Sequence, residues 1–298
     1  MKRISIGSWA YVTGPYADKP VPWEEMVKKL GEMDFDGVEI GTFPPHPTPE
    51  DVATTEDRKA IRQQVTDHGL AFSGMAPDLW DQELLTTDDH SDYMDRFREY
   101  VQFAVDLGID RIRVDSVQPP DVLNEIDRDT ARSRAVETWK RCADEAADAG
   151  LSVSWEFEPG FAFNEPSEIL RIPEEVDRDN FGVMLDTCHA YMCAVEAARQ
   201  PGEPETLDAG AVELVRRLKG HINHVHLIDS DGTLHDDETS THAPFGEGYI
   251  DWDEMMPAIN DAGIPHDWWT IDLCFWPDAW QVTRRCKDFV DELNKQYG

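Results

Sequence analysis

The chain has 298 residues, enough for one large domain or two small ones with a substantial core. Its 61 acidic and 27 basic residues give a formal net charge of -34, which opposes binding to nucleic acid or to an anionic membrane. Ten Trp residues and a regular apolar periodicity exclude a disordered acidic chain, so we expect a folded protein.

The acidic excess also indicates a cellular setting. Scarce Lys and abundant carboxylates are typical of proteins from salt-loving organisms, where high ionic strength screens the self-repulsion. Five Cys without a CxxC pair argue against a disulfide framework. The opening residues, MKRISIGSW, lack the apolar run of a signal peptide, and no apolar stretch reaches about 18 residues. We therefore predict a halophilic, cytoplasmic protein.

Short apolar runs alternate with amphipathic segments along the whole chain. Each run has the length of a strand, and each intervening segment repeats its apolar residues at helical spacing. Gly108 and Gly150 precede two of the runs, where a helix would end in the left-handed conformation. The eight runs span residues 4–9, 37–41, 70–75, 109–114, 151–158, 181–186, 222–228 and 268–275.

This alternation predicts a (β/α)8 barrel, with eight strands, seven or eight helices and about 37 residues per unit. We take residues 1–298 as a single barrel domain. A doubly wound open sheet is the rival fold, but no Gly-rich phosphate loop follows the first strand. In a barrel, the predicted loops 41–50 and 229–248 lie on the C-terminal face, where active sites are built.

Strands five and six end in carboxylates. Glu156 and Glu158 share one face of strand five, and two adjacent carboxylates repel unless a cation or a proton separates them. Asp186 ends strand six, and His189 follows it in the turn. A desolvated, unpaired Asp is costly, and no Lys or Arg lies near Asp186 in the chain. A metal ion is the simplest partner for Asp186, and the structural alternative is that Asp186 caps the next turn.

Strands seven and eight add further polar groups. His224 and His226 share a face of strand seven, Asp229 follows, and strand eight carries Asp272. A lone His on a strand is usually a core residue, but ligand types at four consecutive strand ends favour a metal. Three carboxylates and one imidazole suit one divalent ion, with Mn²⁺ expected first and Co²⁺, Mg²⁺ or Zn²⁺ as alternatives. The candidate ligands are Glu156, Asp186, His226 and Asp272.

The chain resembles the xylose isomerase-like superfamily of sugar isomerases, epimerases and dehydratases. The likeness covers nearly the whole chain and is closest to the sugar phosphate isomerase/epimerase group, which includes ketose 3-epimerases and inosose dehydratases. The segments that carry it are WEFEPG at 155–160, LDTCHA at 185–190, HVHLIDS at 224–230 and PFGEGYIDW at 244–252.

The resemblance implies roles for particular residues. The family's metal ligands correspond to the four candidates already named, and two of these, Glu156 and Asp272, would be catalytic. His189 would bind the substrate, and Glu158 would lie beside it. Barrels of this family commonly pair, so the resemblance also implies a homo-oligomer, either a dimer or a tetramer.

Two features depart from the family pattern. The epimerases usually have Glu where this chain has Asp272, which is one methylene shorter. The ketose 3-epimerases also place an Arg soon after the His that corresponds to His226, and Asp229, Ser230 and Asp231 stand there instead. The substrate of the epimerases therefore does not transfer directly to this chain.

The predicted activity is a metal-dependent isomerisation or epimerisation of a sugar or polyol-derived ketone. The metal would polarise the carbonyl, Glu156 would remove the adjacent proton to give an enediolate, and Asp272 would return a proton. Hydride-shift isomerases of the superfamily carry a Lys after the metal-binding Glu, whereas Phe157 stands here, so proton transfer is favoured. The alternative is a lyase, like inosose dehydratase, in which the same intermediate expels a β-hydroxyl.

Two other classes fit less well. A DNA endonuclease of this superfamily would need a basic face, which the charge opposes. A sugar-binding protein without turnover would not need intact metal ligands.

The absence of an evident basic cluster favours an unphosphorylated sugar or polyol as the substrate. Several side chains are expected to lie near this substrate. Trp9 and Trp276 lie at strand ends and would stack on a sugar ring. His242 would either reach the substrate from the strand-seven loop or be exposed to solvent. Other aromatic side chains near the expected mouth, for which barrel-core or helix packing is the favoured explanation, are Phe43, Trp80 and Trp155.

Overall fold

The computed structural model describes residues 1–298 and contains ten strands. Eight of them lie parallel in one curved sheet, and β8 and β9 form a separate antiparallel hairpin. In chain order the strands are β1 Arg3–Ile6, β2 Gly37–Gly41, β3 Ala71–Ala76, β4 Arg111–Val114, β5 Ser152–Glu156, β6 Phe181–Asp186, β7 Ile222–Leu227, β8 Asp229–His235, β9 Thr239–Ala243 and β10 Trp268–Ile271.

The large sheet is a nearly closed barrel. Its strands follow the order β1-β10-β7-β6-β5-β4-β3-β2, so each strand lies beside its neighbour in the chain and β10 pairs with β1. A parallel bridge between Gly7 and Glu39 links the two ends of the sheet. The predicted (β/α)8 barrel is confirmed, and the open sheet was the wrong alternative because the first and last strands pair.

Nine α-helices surround the barrel, one or two more than predicted. The difference arises between β6 and β7, where the chain forms two short helices instead of one. None of the helices is long and apolar enough to cross a membrane. The helices are α1 Trp23–Glu32, α2 Thr55–Asp67, α3 Ser91–Leu107, α4 Arg128–Asp148, α5 Pro166–Val176, α6 Thr187–Ala194, α7 Gly210–Arg217, α8 Trp252–Asp261 and α9 Ala279–Tyr297.

The core lies mainly between the barrel and its helices, in one cluster of 76 buried residues. The outward face of β5 packs there, with the ring centroid of Trp155 5.4 Å from that of Trp139 on α4. The α3 helix ends at Gly108, whose φ of 75° fits the predicted left-handed cap. Trp155 does not border the cavity mouth, because the alternation of side chains along β5 directs it into the helix layer.

The segment 229–248, predicted as a loop, contains the β8–β9 hairpin. The three residues between its strands, 236–238, include Asp236 and Asp237 with φ values of 51° and 59°, and the N–H of Glu238 donates to the carbonyl oxygen of His235 to close the turn. Both flanking strands are rich in polar residues, which hid them in the apolar pattern. Asp229 holds the base of the hairpin, because its carboxylate accepts hydrogen bonds from the backbone N–H groups of Gly246 and Ile250.

Candidate metal centre and active site

A cavity of about 400 Å³ opens at the C-terminal end of the barrel. Glu156, at the end of β5, and Asp272, one residue beyond β10, contribute carboxylates to its lining. Trp9 follows β1, His189 lies in the first turn of α6, and His242 belongs to β9. Predicted site residues from five separate segments of the chain therefore border one space.

Three of the four predicted metal ligands form one cluster. Glu156 Oε1 lies 3.2 Å from His226 Nδ1, which lies 3.4 Å from Asp272 Oδ2. These ligand atoms all lie within 4.8 Å of one another. Asp186 is opposite His226 in the pairing of β6 with β7, but it belongs to a neighbouring group of potential ligand atoms. The structure thus brings three candidates together and places the fourth beside them.

Several ligand atoms in this region have no hydrogen-bond partner. They are Glu156 Oε1, Asp186 Oδ2 and His226 Nδ1, and all three side chains are buried. Buried polar atoms are normally satisfied, because an unpaired one costs free energy. Carboxylate oxygens and an imidazole nitrogen are suitable donors for a divalent cation. The residues present therefore fit a metal ion.

The electrostatics of this cluster also favour a cation. Burial raises the pKa of the Asp186 carboxyl to about 7, because the nearby His242 offsets only part of the desolvation penalty. Burial would lower the pKa of His226, but the surrounding carboxylates, Glu39 foremost, raise it well above its usual range. Both raised pKa values show that the cluster favours added positive charge, which a bound divalent ion would supply.

The structure adds a residue that the sequence reasoning missed, the buried Arg113 on β4. Its Nη1 donates to Glu156 Oε2 over 2.6 Å, and its Nη2 donates to Asp115 Oδ2 over 3.2 Å. Burial would raise the pKa of Glu156, but Arg113 and His226 outweigh it and lower that pKa to about 2. The signal was the period of two in RIRV, which points alternate side chains of an apolar run into the barrel.

Glu158 and His189 form a second polar pair in the lining of the cavity. His189 Nε2 lies 3.2 Å from Glu158 Oε2, which also accepts a hydrogen bond from Thr239 Oγ1 over 2.8 Å. Burial and the neighbouring Glu156 raise the pKa of Glu158 to about 8. The backbone N–H of His189 donates to Asp186 Oδ1 at the start of α6, so Asp186 caps this helix with one oxygen.

The predicted aromatic residues divide into two groups. Trp9 borders the cavity and donates from Nε1 to Asp272 Oδ1 over 2.9 Å, and Phe43 and Trp80 border it with ring centroids 5.1 Å apart. Trp276 does not border the cavity and packs partly buried against the core. Its neighbour Phe275, which has a φ of 61°, takes that place in the lining.

Sequence reasoning also missed Glu39, which lies beside His226 inside the barrel. Glu39 Oε2 lies 2.7 Å from His224 Nε2 and 3.3 Å from His226 Nε2. All three side chains are fully buried. The available signal was a single carboxylate in the middle of an otherwise apolar strand, GVEIG, where an unpaired charge would not be tolerated.

The barrel with a buried carboxylate–imidazole cluster at its C-terminal face defines the class of protein. Residues 27–286 match the family described as xylose isomerase-like TIM barrel, and the chain belongs to this family.

Individual relatives are distant but cover the whole fold. The chain is 20% identical over 296 residues to an inosose dehydratase of Geobacillus thermodenitrificans, covering 91% of this chain and 89% of that protein. A D-tagatose 3-epimerase-like protein superposes with a TM-score of 0.74 at 19% identity, covering 100% of both chains. An IolI protein with a bound zinc atom gives a TM-score of 0.75 at 18% identity, covering 100% of this chain and 99% of that one.

Proposed function

We propose that this protein is a divalent-metal-dependent isomerase or epimerase of a sugar or polyol-derived ketone. The observation that carries the proposal is the set of unpartnered, buried ligand atoms Glu156 Oε1, Asp186 Oδ2 and His226 Nδ1. Asp272 completes the set, since its Oδ2 lies 3.4 Å from His226 Nδ1. Family membership and the epimerase-like fold neighbours support the same assignment.

The proposed cofactor is one divalent ion held by these four residues. Three carboxylates and one imidazole favour Mn²⁺, with Co²⁺, Mg²⁺ and Zn²⁺ as alternatives, and the zinc in the IolI structure supports a divalent metal. When bound, such an ion acts as a Lewis acid that polarises a carbonyl group. Arg113 and Trp9 each hold one oxygen of a proposed ligand, Glu156 and Asp272 respectively, which leaves the second oxygen of each free for the metal.

Proton removal next to the carbonyl is assigned to Glu156, and proton return to Asp272. Both carboxylates border the cavity, and His226 lies between them. Arg113 makes Glu156 a weak base, because it stabilises the charged carboxylate. Glu158 borders the same cavity and has a raised pKa, so it is the alternative base. Replacement of each Glu by Gln, with metal content measured alongside turnover, separates the two assignments.

The walls of the cavity suit a hydroxylated ring or chain. Trp9, Phe43, Trp80 and Phe161 offer apolar surface for the C–H faces of such a ligand. Glu158, His189 and the proposed metal ligands offer hydrogen bonds to its hydroxyl groups.

A lyase reaction on the same scaffold is the second candidate. The inosose dehydratase relative favours it, because its similarity extends over 91% of the chain. In that reaction the same proton removal would be followed by loss of a β-hydroxyl group as water.

One experiment tests the proposal and separates the two reactions. The protein is purified in high salt, its metal content is measured, and it is incubated in D₂O with a panel of ketoses and inososes. Deuterium gained at the carbon beside the carbonyl, without loss of water, supports isomerisation or epimerisation. An unsaturated or dehydrated product supports the lyase. Purified protein that binds no divalent metal and exchanges no deuterium contradicts both reactions.

A further inference from the structure

A buried polar cluster lies beneath the proposed metal ligands, inside the barrel. Glu39 on β2, His224 and His226 on β7 and Thr270 on β10 are all fully buried. The interior of such a barrel is usually filled by branched apolar side chains. A carboxylate placed there costs free energy unless it is fully paired, so this cluster requires a physical explanation.

The hydrogen bonds converge on one oxygen of Glu39. Its Oε2 lies 2.7 Å from His224 Nε2, 3.3 Å from His226 Nε2 and 3.2 Å from Thr270 Oγ1. An imidazole that binds a metal through one nitrogen is neutral and has a single N–H, on the other nitrogen. With that N–H at Nε2 and facing Glu39, the lone pair of His226 is at Nδ1. This is the nitrogen that faces the proposed ligands, 3.2 Å from Glu156 Oε1.

The tautomer of His224 is also fixed by its neighbours. His266 accepts the backbone N–H of Trp268 at Nδ1, so its proton is at Nε2, which lies 2.9 Å from the carbonyl of Asn223 and 3.2 Å from His224 Nδ1. His224 Nε2 lies 2.7 Å from Glu39 Oε2, and a carboxylate oxygen can only accept a hydrogen bond, so His224 carries an N–H at Nε2 that is donated to Glu39.

The backbone leaves room for this arrangement. Gly74 on the adjacent strand β3 lies against the Glu39 side chain, and a Cβ at that position would come within 3.1 Å of Glu39 Cδ. The backbone of Glu39 also forms the bridge to Gly7 that closes the barrel. The carboxylate is thus held at a rigid point of the fold, which suits a group that must orient another side chain.

We propose that Glu39 is a positioning residue of the metal centre, which holds the Nε2–H of His226 so that Nδ1 faces the metal. This inference rests on the proposed function, because the metal is the partner that Nδ1 would bind. A carboxylate on the far nitrogen of a metal-binding His fixes its orientation and increases its basicity as a ligand. In this proposal Glu39 has no contact with the metal or the substrate.

Zinc affinity provides the first test. Competition with a chelator gives the affinity for Zn²⁺ of the wild type, Glu39→Met, Glu39→Gln and the control Ser5→Ala. Ser5 belongs to the same buried layer and hydrogen-bonds to Thr270 but not to Glu39. Glu39→Met should weaken zinc binding by about 10- to 100-fold. Glu39→Gln should weaken it less, because the amide oxygen still accepts a hydrogen bond, and Ser5→Ala should bind as the wild type does.

Nuclear magnetic resonance of the zinc-loaded protein provides a signature that a purely structural role would not change. With ¹⁵N-labelled His, and with the His226 signals identified by their absence in His226→Asn, Nδ1 should be the zinc-bound nitrogen. The Nε2 proton should exchange slowly with solvent. Exchange of this proton should be faster in Glu39→Met. The zinc-binding nitrogen of His226 is read from the wild type, so that part of the test does not depend on Glu39→Met folding.

The outcomes separate this inference from the function on which it rests. Zinc bound through His226 Nε2, or equal zinc affinity in folded Glu39→Met and wild type, would overturn the positioning role alone. Loss of one of two bound zinc ions in Glu39→Met would make Glu39 a ligand and would also overturn it. A wild type that binds no zinc or other divalent ion would instead remove the proposed metal centre.

Discussion

Arg113 donates to Glu156 over 2.6 Å inside the barrel, and both side chains are almost completely buried. The same guanidinium reaches Asp115, so one cation neutralises two buried carboxylates. This pairing explains how Glu156 stays ionised despite its burial. It also fixes one carboxylate oxygen and leaves the other available at the cavity.

Removal of Arg113 should therefore destabilise the fold as well as the site. Arg113→Met leaves two buried carboxylates without their cation, a change that typically costs about 3–5 kcal/mol. Arg113→Lys keeps the charge but cannot donate in the same forked geometry, so it should recover part of the stability with little of the activity. Urea unfolding of chelator-treated protein and turnover of the metal-loaded protein measure the two effects. Wild-type stability in Arg113→Met would contradict the role given to this pair.

Acid should destabilise the protein through His46. This side chain is fully buried, with Nε2 3.1 Å from the carbonyl oxygen of Val21 and Nδ1 without a partner. Burial lowers its pKa from 6.5 to about 4, so the unfolded chain binds a proton at a higher pH than the folded one. Stability therefore falls as the pH drops from about 6.5 towards about 4, by at most about 1.4 kcal/mol per pH unit for this group.

The comparison of His46→Gln with the wild type isolates this contribution. The Gln amide can still donate to Val21 but does not titrate, so any stability deficit of the variant at pH 7 should shrink as the pH falls. His68→Gln, at an exposed position, is the matched control and should follow the wild type at every pH. Chemical unfolding at a series of pH values gives the difference, and a pH-independent difference for His46→Gln would refute the assignment.

High salt should be required for folding, because a net charge of -34 repels itself when it is not screened. Circular dichroism in buffers from molar salt down to roughly 0.1 M should show loss of structure at the low end. Full stability at low salt would remove the halophilic interpretation without affecting the barrel.

Light scattering in the high-salt buffer tests the proposed dimer or tetramer, since the monomer has a mass of 33.9 kDa.

The fold could be predicted because its signal is repeated eight times. Each strand is a short apolar run, and errors in one unit leave the alternation intact. The β8–β9 hairpin escaped prediction because its strands are polar and its turn uses Asp236 and Asp237 rather than Gly. Local composition therefore identified the barrel strands but not a hairpin whose conformation depends on anchoring by Asp229.

The site was predictable only at the strand ends. Asp186 and His226 could be proposed from the sequence because they lie at or next to the ends of apolar strands, and the barrel places those ends together. Arg113 and Glu39 lie within strands, where the sequence shows an isolated charge and gives no indication of its partner. Their pairing with Glu156 and His226 connects residues that are 43 and 187 positions apart in the chain. The first contact joins the paired strands β4 and β5, and the second crosses the barrel from β2 to β7, so neither follows from a local pattern.

The most direct prediction concerns the proposed ligands. Replacing any one of them by Ala removes about a quarter of the coordination, so metal affinity and activity should fall together by orders of magnitude. The barrel should remain folded, because these side chains lie at the strand ends above the main core. Metal analysis, turnover and circular dichroism test the variants of Glu156, Asp186, His226 and Asp272.

Two further substitutions distinguish ligands from substrate contacts. Glu158→Ala and His189→Ala should retain the metal and lose turnover, since these residues form a separate pair in the cavity lining.

Asp272→Glu restores the longer side chain that is usual in the epimerases. If Asp272 only holds the metal, this change should be tolerated. If its shorter side chain sets the geometry of the substrate, activity should change selectively between ketose substrates.

Full metal content and full activity in His226→Ala would show that the metal centre has been assigned to the wrong residues.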